Sequence, residues 1–135
     1  MSHFTKCELK LTNLNALKRA IKDLEYQSEE ASEKQTVRVR GWRGQTEEAV
    51  IGIKLSKYDV GVVQNADGTY TLVADWWGVE TTTGVTQEEF VAKLNQKYQY
   101  HNVMEACEAK GYTLEEEEVE EDGTVKLYVR RWVQD

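Results

Sequence analysis

The chain has 135 residues, 24 acids against 17 bases for a net charge of −7, and 40% apolar residues. This size suits one domain that buries about two-thirds of its unfolded surface, and the acidic balance argues against a general nucleic-acid binder, which needs a basic surface to displace counterions. No apolar run approaches the roughly 18 residues of a membrane span. The start carries no secretory pattern, and the two cysteines are widely separated, so we expect reduced thiols in a cytoplasm-like compartment.

Residues 4–11 alternate, with Cys7, Leu9 and Leu11 on one side and Lys6, Glu8 and Lys10 on the other, which predicts a half-buried strand with Cys7 as a small core residue. Thr12 and Asn13 offer an N-cap. Leu14, Leu17, Ile21 and Leu24 then form the apolar stripe of a helix over 13–24. A short strand is expected over 26–31. Residues 36–42 read as a strand with Val37 and Val39 facing one way and Arg38, Arg40 and Trp42 the other, followed by a loop over 43–46. Ala49, Ile51, Ile53 and Leu55 alternate as one further strand.

The segment around which the chain is organised is a hairpin. Residues 58–64 and 69–77 are strand-like, and Asn65, Ala66, Asp67 and Gly68 between them are turn formers. The second strand is apolar on both faces, which implies a sheet covered on both sides. On this reading Trp76 and Trp77 point in opposite directions, and 78–85 is an irregular link. Thr86 and Glu89 form a capping box that opens a helix over 86–110, with Phe90, Val91, Leu94 and Tyr98 buried. A second such box at Asn102 and Glu105 suggests a break and restart. Residues 112–120 form an acid-laden strand, and a turn at Asp122 and Gly123 returns the chain as a strand over 124–133. A helix–strand–strand pseudo-repeat is suggested by Arg40-Gly41-Trp42 and Arg130-Arg131-Trp132.

The residues with the richest chemistry are these two Arg-x-Trp groups. Both put Arg and Trp on the strand face opposite the aliphatic row. One reading is a docking or anion-binding surface, since Trp and Arg anchor interfaces. The other is internal cation–π packing, worth about 1 kcal/mol a pair. The acid run over 115–121 reads as charge guarding a sheet edge, or as a site that docks a basic partner or weakly binds a cation. Asp75 beside the paired tryptophans is a lone acid, His3 and His101 have no ligand partner at helical spacing, and no metal site is expected. Residues 41–44 do not match a phosphate loop.

Together these features predict one α+β domain over 1–135: a mainly antiparallel twisted β-sheet with two or three helices packed on one face. The functional expectation is a non-enzymatic accessory or assembly factor without a cofactor. It would bind a protein partner through Arg40, Trp42, Arg43, Gln45, Asp75, Trp76, Trp77, Arg130 and Trp132. The rival is a small anionic-ligand site, or an unrecognised enzyme, using Arg40, Arg43 and Asp75 near the paired tryptophans. A homodimer through the aromatic face is a third reading.

Five stretches carry a family resemblance: Met1-Ser2-His3-Phe4; Val39 to Thr46 (Val-Arg-Gly-Trp-Arg-Gly-Gln-Thr); Val60 to Asn65; Leu72 to Gly78 (Leu-Val-Ala-Asp-Trp-Trp-Gly); and Glu121 to Thr124 together with Val129 to Trp132. With these the chain resembles the hypothetical-chloroplast-frame family, small uncharacterised proteins of cyanobacteria and algal plastids catalogued as a domain of unknown function. The resemblance covers almost the whole chain and contains no motif tied to a chemistry, so it implies no catalytic residue. It implies a cytoplasmic or stromal setting and an accessory role near photosynthetic or redox machinery, with a ferredoxin-like or photosynthetic component as partner.

Overall fold

The computed structural model describes residues 4–32, 35–41, 44–122 and 124–131. Five strands form an antiparallel sheet in the order β1 (Thr5–Leu11), β7 (Tyr70–Ala74), β6 (Asp59–Gln64), β5 (Ile51–Lys54), β2 (Gln27–Glu30). The predicted hairpin, β6–β7, lies at its middle. Its turn closes as its residue types require: Gly68 takes a φ of 86° and donates to the Asn65 carbonyl at 3.1 Å, and the Asp67 carboxylate accepts from Thr69 N–H at 3.0 Å.

β7 is buried along its whole length, and both faces of the sheet are covered. On one face Ile51, Ile53, Val60, Val62, Leu72 and Ala74 pack against three helices: α1 (Leu14–Asp23), α2 (Trp76–Thr83) and α3 (Gln87–Ala109). On the other face Val73 packs with Val39 and Ala49 of a two-stranded sheet, β3 (Val37–Arg40) and β4 (Thr46–Ala49). Gly52 and Gly61 are cross-strand partners beneath that hairpin. A Cβ on Gly61 would stand 3.0 Å from a Val39 methyl carbon, and one on Gly52 3.0 Å from a Val37 methyl carbon. The missing side chains are what let the second layer approach. The last hairpin, β8 (Tyr112–Val119) with β9 (Val125–Arg131), forms a separate ribbon beside α3.

Four expectations are corrected. The strand expected over 49–55 is broken at Val50, where the chain bends from one sheet to the other. Ala49 pairs with Val37, while Ile51 pairs with Val62 and Glu30. The alternation is genuine, but Ala49 and Ile51 fill different cores. α3 runs unbroken, because the apparent second capping box serves another helix. Asn102 Oδ1 and a Glu105 carboxylate oxygen accept from Asn13 Nδ2, at 3.0 and 2.6 Å, while Asn13 caps α1 by accepting from Ala16 N–H. The Tyr98 hydroxyl accepts from the N–H groups of Thr12 and Asn13, which ties the start of α1 to α3.

The paired tryptophans are on a helix, not a strand. β7 ends at Ala74, and Asp75 is the N-cap of α2, accepting from Gly78 N–H at 3.1 Å. Gly84 ends that helix in the left-handed conformation at φ 77°, and the hydroxyls of Thr81, Thr82 and Thr83 fold back onto carbonyls one turn earlier. Finally, the pseudo-repeat does not extend to strand pairing: β8 pairs with β9, whereas β2 pairs with β5 and β3 with β4.

Candidate docking surface

Arg40 stands at the end of β3 and is bound within the chain by its backbone and side chain. Its backbone N–H and its side-chain Nε and Nη2 all donate to the Asp59 carboxylate, at 2.7, 3.0 and 2.8 Å, and Nη2 also donates to the Ser56 carbonyl at 2.8 Å. Asp59 is only 3% exposed, so the guanidinium supplies the charge that its burial demands. Hydrogen bonding to Asp59 holds the Arg40 pKa above its ordinary value. Gln45 closes the same hairpin, its carbonyl accepting from Gly41 N–H at 2.8 Å.

The paired tryptophans part company because they are neighbours on a helix. Trp76 is 7% exposed and packs on Phe90 with ring centroids 5.7 Å apart, whereas Trp77 is 55% exposed. Gly78, the next residue, is what admits the Tyr58 ring: a Cβ there would fall 2.1 Å from it. Asp75 is buried at the helix cap. Trp42, Arg43 and Trp132 lie outside the described residues.

Arg130 is on the ribbon, where its Nε donates to a Glu115 carboxylate oxygen at 2.7 Å. Arg40 and Arg130 therefore belong to different small sheets. β3 packs over β5 and β6, and β9 packs on β8 and α3. Of the shared Arg/Trp face expected from the sequence, these two arginines therefore lie on different sheets.

The ribbon itself carries the features of a contact surface. Between Tyr112 and Arg131 the sequence has seven acids and three bases. Its outer face places Tyr128 opposite Glu116, and Lys126 opposite Glu118. Lys126 is paired with Glu120 at 2.7 Å, and the Tyr128 hydroxyl approaches Glu118 at 3.4 Å. The nearby Glu118 charge raises the Tyr128 pKa by opposing the phenolate. Val119, Tyr128 and Val129 on the ribbon, and Val103 on the helix beside it, are large apolar residues left between 37% and 58% exposed. Beneath the ribbon runs a cleft of about 440 Å³, floored by Tyr100, Val103, Val125 and Leu127.

Sequence reasoning missed two parts of this arrangement. Asp59 as the partner of Arg40 carries no local signal, since the two are nineteen positions apart. The cleft did leave a trace. Gln96, Tyr100 and Val103 recur at i, i+4 and i+7, a second stripe beside the core stripe of Phe90, Leu94 and Tyr98. A helix with two stripes is touched from two sides. Among the described residues no group of three or more His, Cys, Asp or Glu side chains is placed to hold a metal ion, and no helix is long and apolar enough to cross a membrane.

A family model described as "Protein of unknown function (DUF1257)" matches residues 20–128. Three uncharacterised ycf35 proteins of algal plastids are similar over 98% of this chain and 98% of their own length. That of Guillardia theta is 34% identical, that of Pyropia yezoensis 31% and that of Cyanophora paradoxa 30%. No solved structure matches the chain. These findings agree with the family resemblance read from the sequence.

Proposed function

The chain belongs to the DUF1257 family of proteins of unknown function, and we propose that it acts as a non-enzymatic accessory factor that docks a protein partner through the β8–β9 ribbon. The observation that carries this reading is the concentration of exposed apolar side chains, Val119, Tyr128 and Val129, on an acidic two-stranded arm beside α3. Two-stranded ribbons are marginal on their own in water, and these apolar side chains stand exposed among charges along both faces of this one. The partner face would be basic, because the outer row of Glu116 and Glu118 repels an acidic one.

Of the residues first singled out, Arg130 stays in this proposal as an exposed contact residue on the ribbon, whereas Trp77 is exposed on α2. Arg40, Asp75 and Trp76 have structural duties that hold them in the fold, which weakens the rival reading of an anionic-ligand site among them. The algal-plastid relatives suit a cytoplasmic or stromal setting, and a link to photosynthetic or redox machinery is part of this proposal. A ferredoxin-like or photosynthetic component is then a partner candidate wherever it presents a basic face.

The test is native mass spectrometry of the chain isolated gently from its source, beside a Glu116→Lys/Glu118→Lys variant. A bound protein mass on the unmodified chain, lost from the variant while its circular dichroism is unchanged, is the expected result. A mass retained by the variant contradicts docking at the ribbon.

A further inference from the structure

The ribbon and α3 touch without closing on each other. Two hollows lie between them, and Gln96, Tyr100 and Val125 line both. The more apolar one is the cleft of about 440 Å³ that reaches Val103 and Leu127. The other is bordered by Asp23, Glu117 and Val119. The rim is mixed but weighted to acid: Asp23, Glu117 and Asp122 against Lys93 and Lys97. Burial first, and then the charges of Glu117 and Asp23, raise the Tyr100 pKa, so the phenol at the junction lies in a negative field.

We propose that this cleft and the adjoining hollow together receive a partner segment in which apolar anchor side chains alternate with Lys or Arg, the anchors entering the cleft against Val103 and Leu127 and the cations meeting Asp122 at the cleft and Glu117 at the other hollow. The inference rests on the ribbon-docking reading and names what the partner presents there. A void of a few hundred Å³ suits one or two large side chains. Val103, exposed at the cleft, and Val119, exposed at the other hollow, are the apolar area such a segment would cover. A second copy of this chain is a poor occupant. A two-fold pairing sets each patch against its own counterpart, which here brings acid run against acid run.

The experiment uses the full chain and two fluorescein-labelled synthetic peptides of equal length, one alternating Lys and Leu and one alternating Lys and Ser, with binding read by fluorescence anisotropy. The Lys/Leu peptide is expected to bind about tenfold tighter or more, the worth of burying part of one leucine. Val103→Trp, which fills the cleft from an exposed position, and Val103→Ser, which removes its apolar wall, should bring the two peptides to similar affinity. Equal binding of both peptides to the unmodified chain, lost in Glu116→Lys/Glu118→Lys, overturns the cleft proposal and leaves ribbon docking standing. A Lys/Leu preference that survives both Val103 variants places the apolar contact elsewhere and also overturns it. Binding of neither peptide counts against cleft and ribbon together.

Discussion

Arg40 closes on Asp59 with three donors of its own, the backbone N–H and side-chain Nε and Nη2, all within 3.0 Å of the carboxylate. An arginine that reads in the sequence as an outward anchor is thus the counter-charge of a buried acid. Removing it strands that acid. Arg40→Ala is expected to lower stability by about 2 kcal/mol, toward the lower end for a broken charged pair because the guanidinium is itself half exposed. Urea denaturation measures this. A loss under about 0.5 kcal/mol, as for a surface pair, would contradict the assignment.

Gly52 and Gly61 set the distance between the large sheet and the β3–β4 layer. Gly61→Ala places a methyl 3.0 Å from one Val39 methyl carbon and 3.2 Å from Ala49 Cβ. The expected cost is about 1–3 kcal/mol from overpacking. In a Val39→Ala background the clash is relieved, so the added cost of Gly61→Ala should fall. A thermal-melt double-mutant cycle reads this coupling, and strict additivity would argue against the close approach.

The two neighbouring tryptophans give opposite optical reports. Trp77→Phe should remove emission that acrylamide quenches readily, and Trp76→Phe should remove emission that is protected and blue-shifted. These follow from exposures of 55% and 7%. Asp75→Ala should cost about 1 kcal/mol, the usual worth of a helix cap, and should make Trp76 more accessible to the quencher. Equal quenching of both tryptophans would contradict the helix over Trp76–Thr83.

Ribbon electrostatics can be read from Tyr128. The Glu118 carboxylate disfavours the phenolate and holds the Tyr128 pKa above its ordinary value. Glu118→Gln removes that repulsion, so the Tyr128 pKa should move down. Ultraviolet titration of the unmodified chain and the variant, each referenced to its Tyr128→Phe counterpart, isolates this group. An unchanged or raised value would place Glu118 away from Tyr128.

Much of the fold was legible because it is written in short-range patterns. The hairpin around 65–68, the two-sided apolar strand, the cap at Thr86 and the alternation of β9 all appear where their residue types place them. The errors share a physical cause. Asp75 to Gly84 contains valine and three threonines, which read as poor helix formers, yet a capping acid, a terminal glycine and hydroxyl bonds to the preceding turn hold a helix there. Val50 carries no breaker, because its bend is imposed by pairing to two different sheets. The site was less legible than the fold: the acidic run could be read as a guarded edge, but its apolar cleft needs α3 and β9 in contact across more than twenty residues of sequence.

The most direct test of ribbon docking is photocrosslinking in the source cells from a benzophenone amino acid placed at Tyr128, with the same probe at Arg19 on the exposed face of α1 as control. We expect a discrete protein adduct from position 128, diminished by Glu116→Lys/Glu118→Lys and absent from position 19. An adduct from position 19 with none from position 128 would contradict the account.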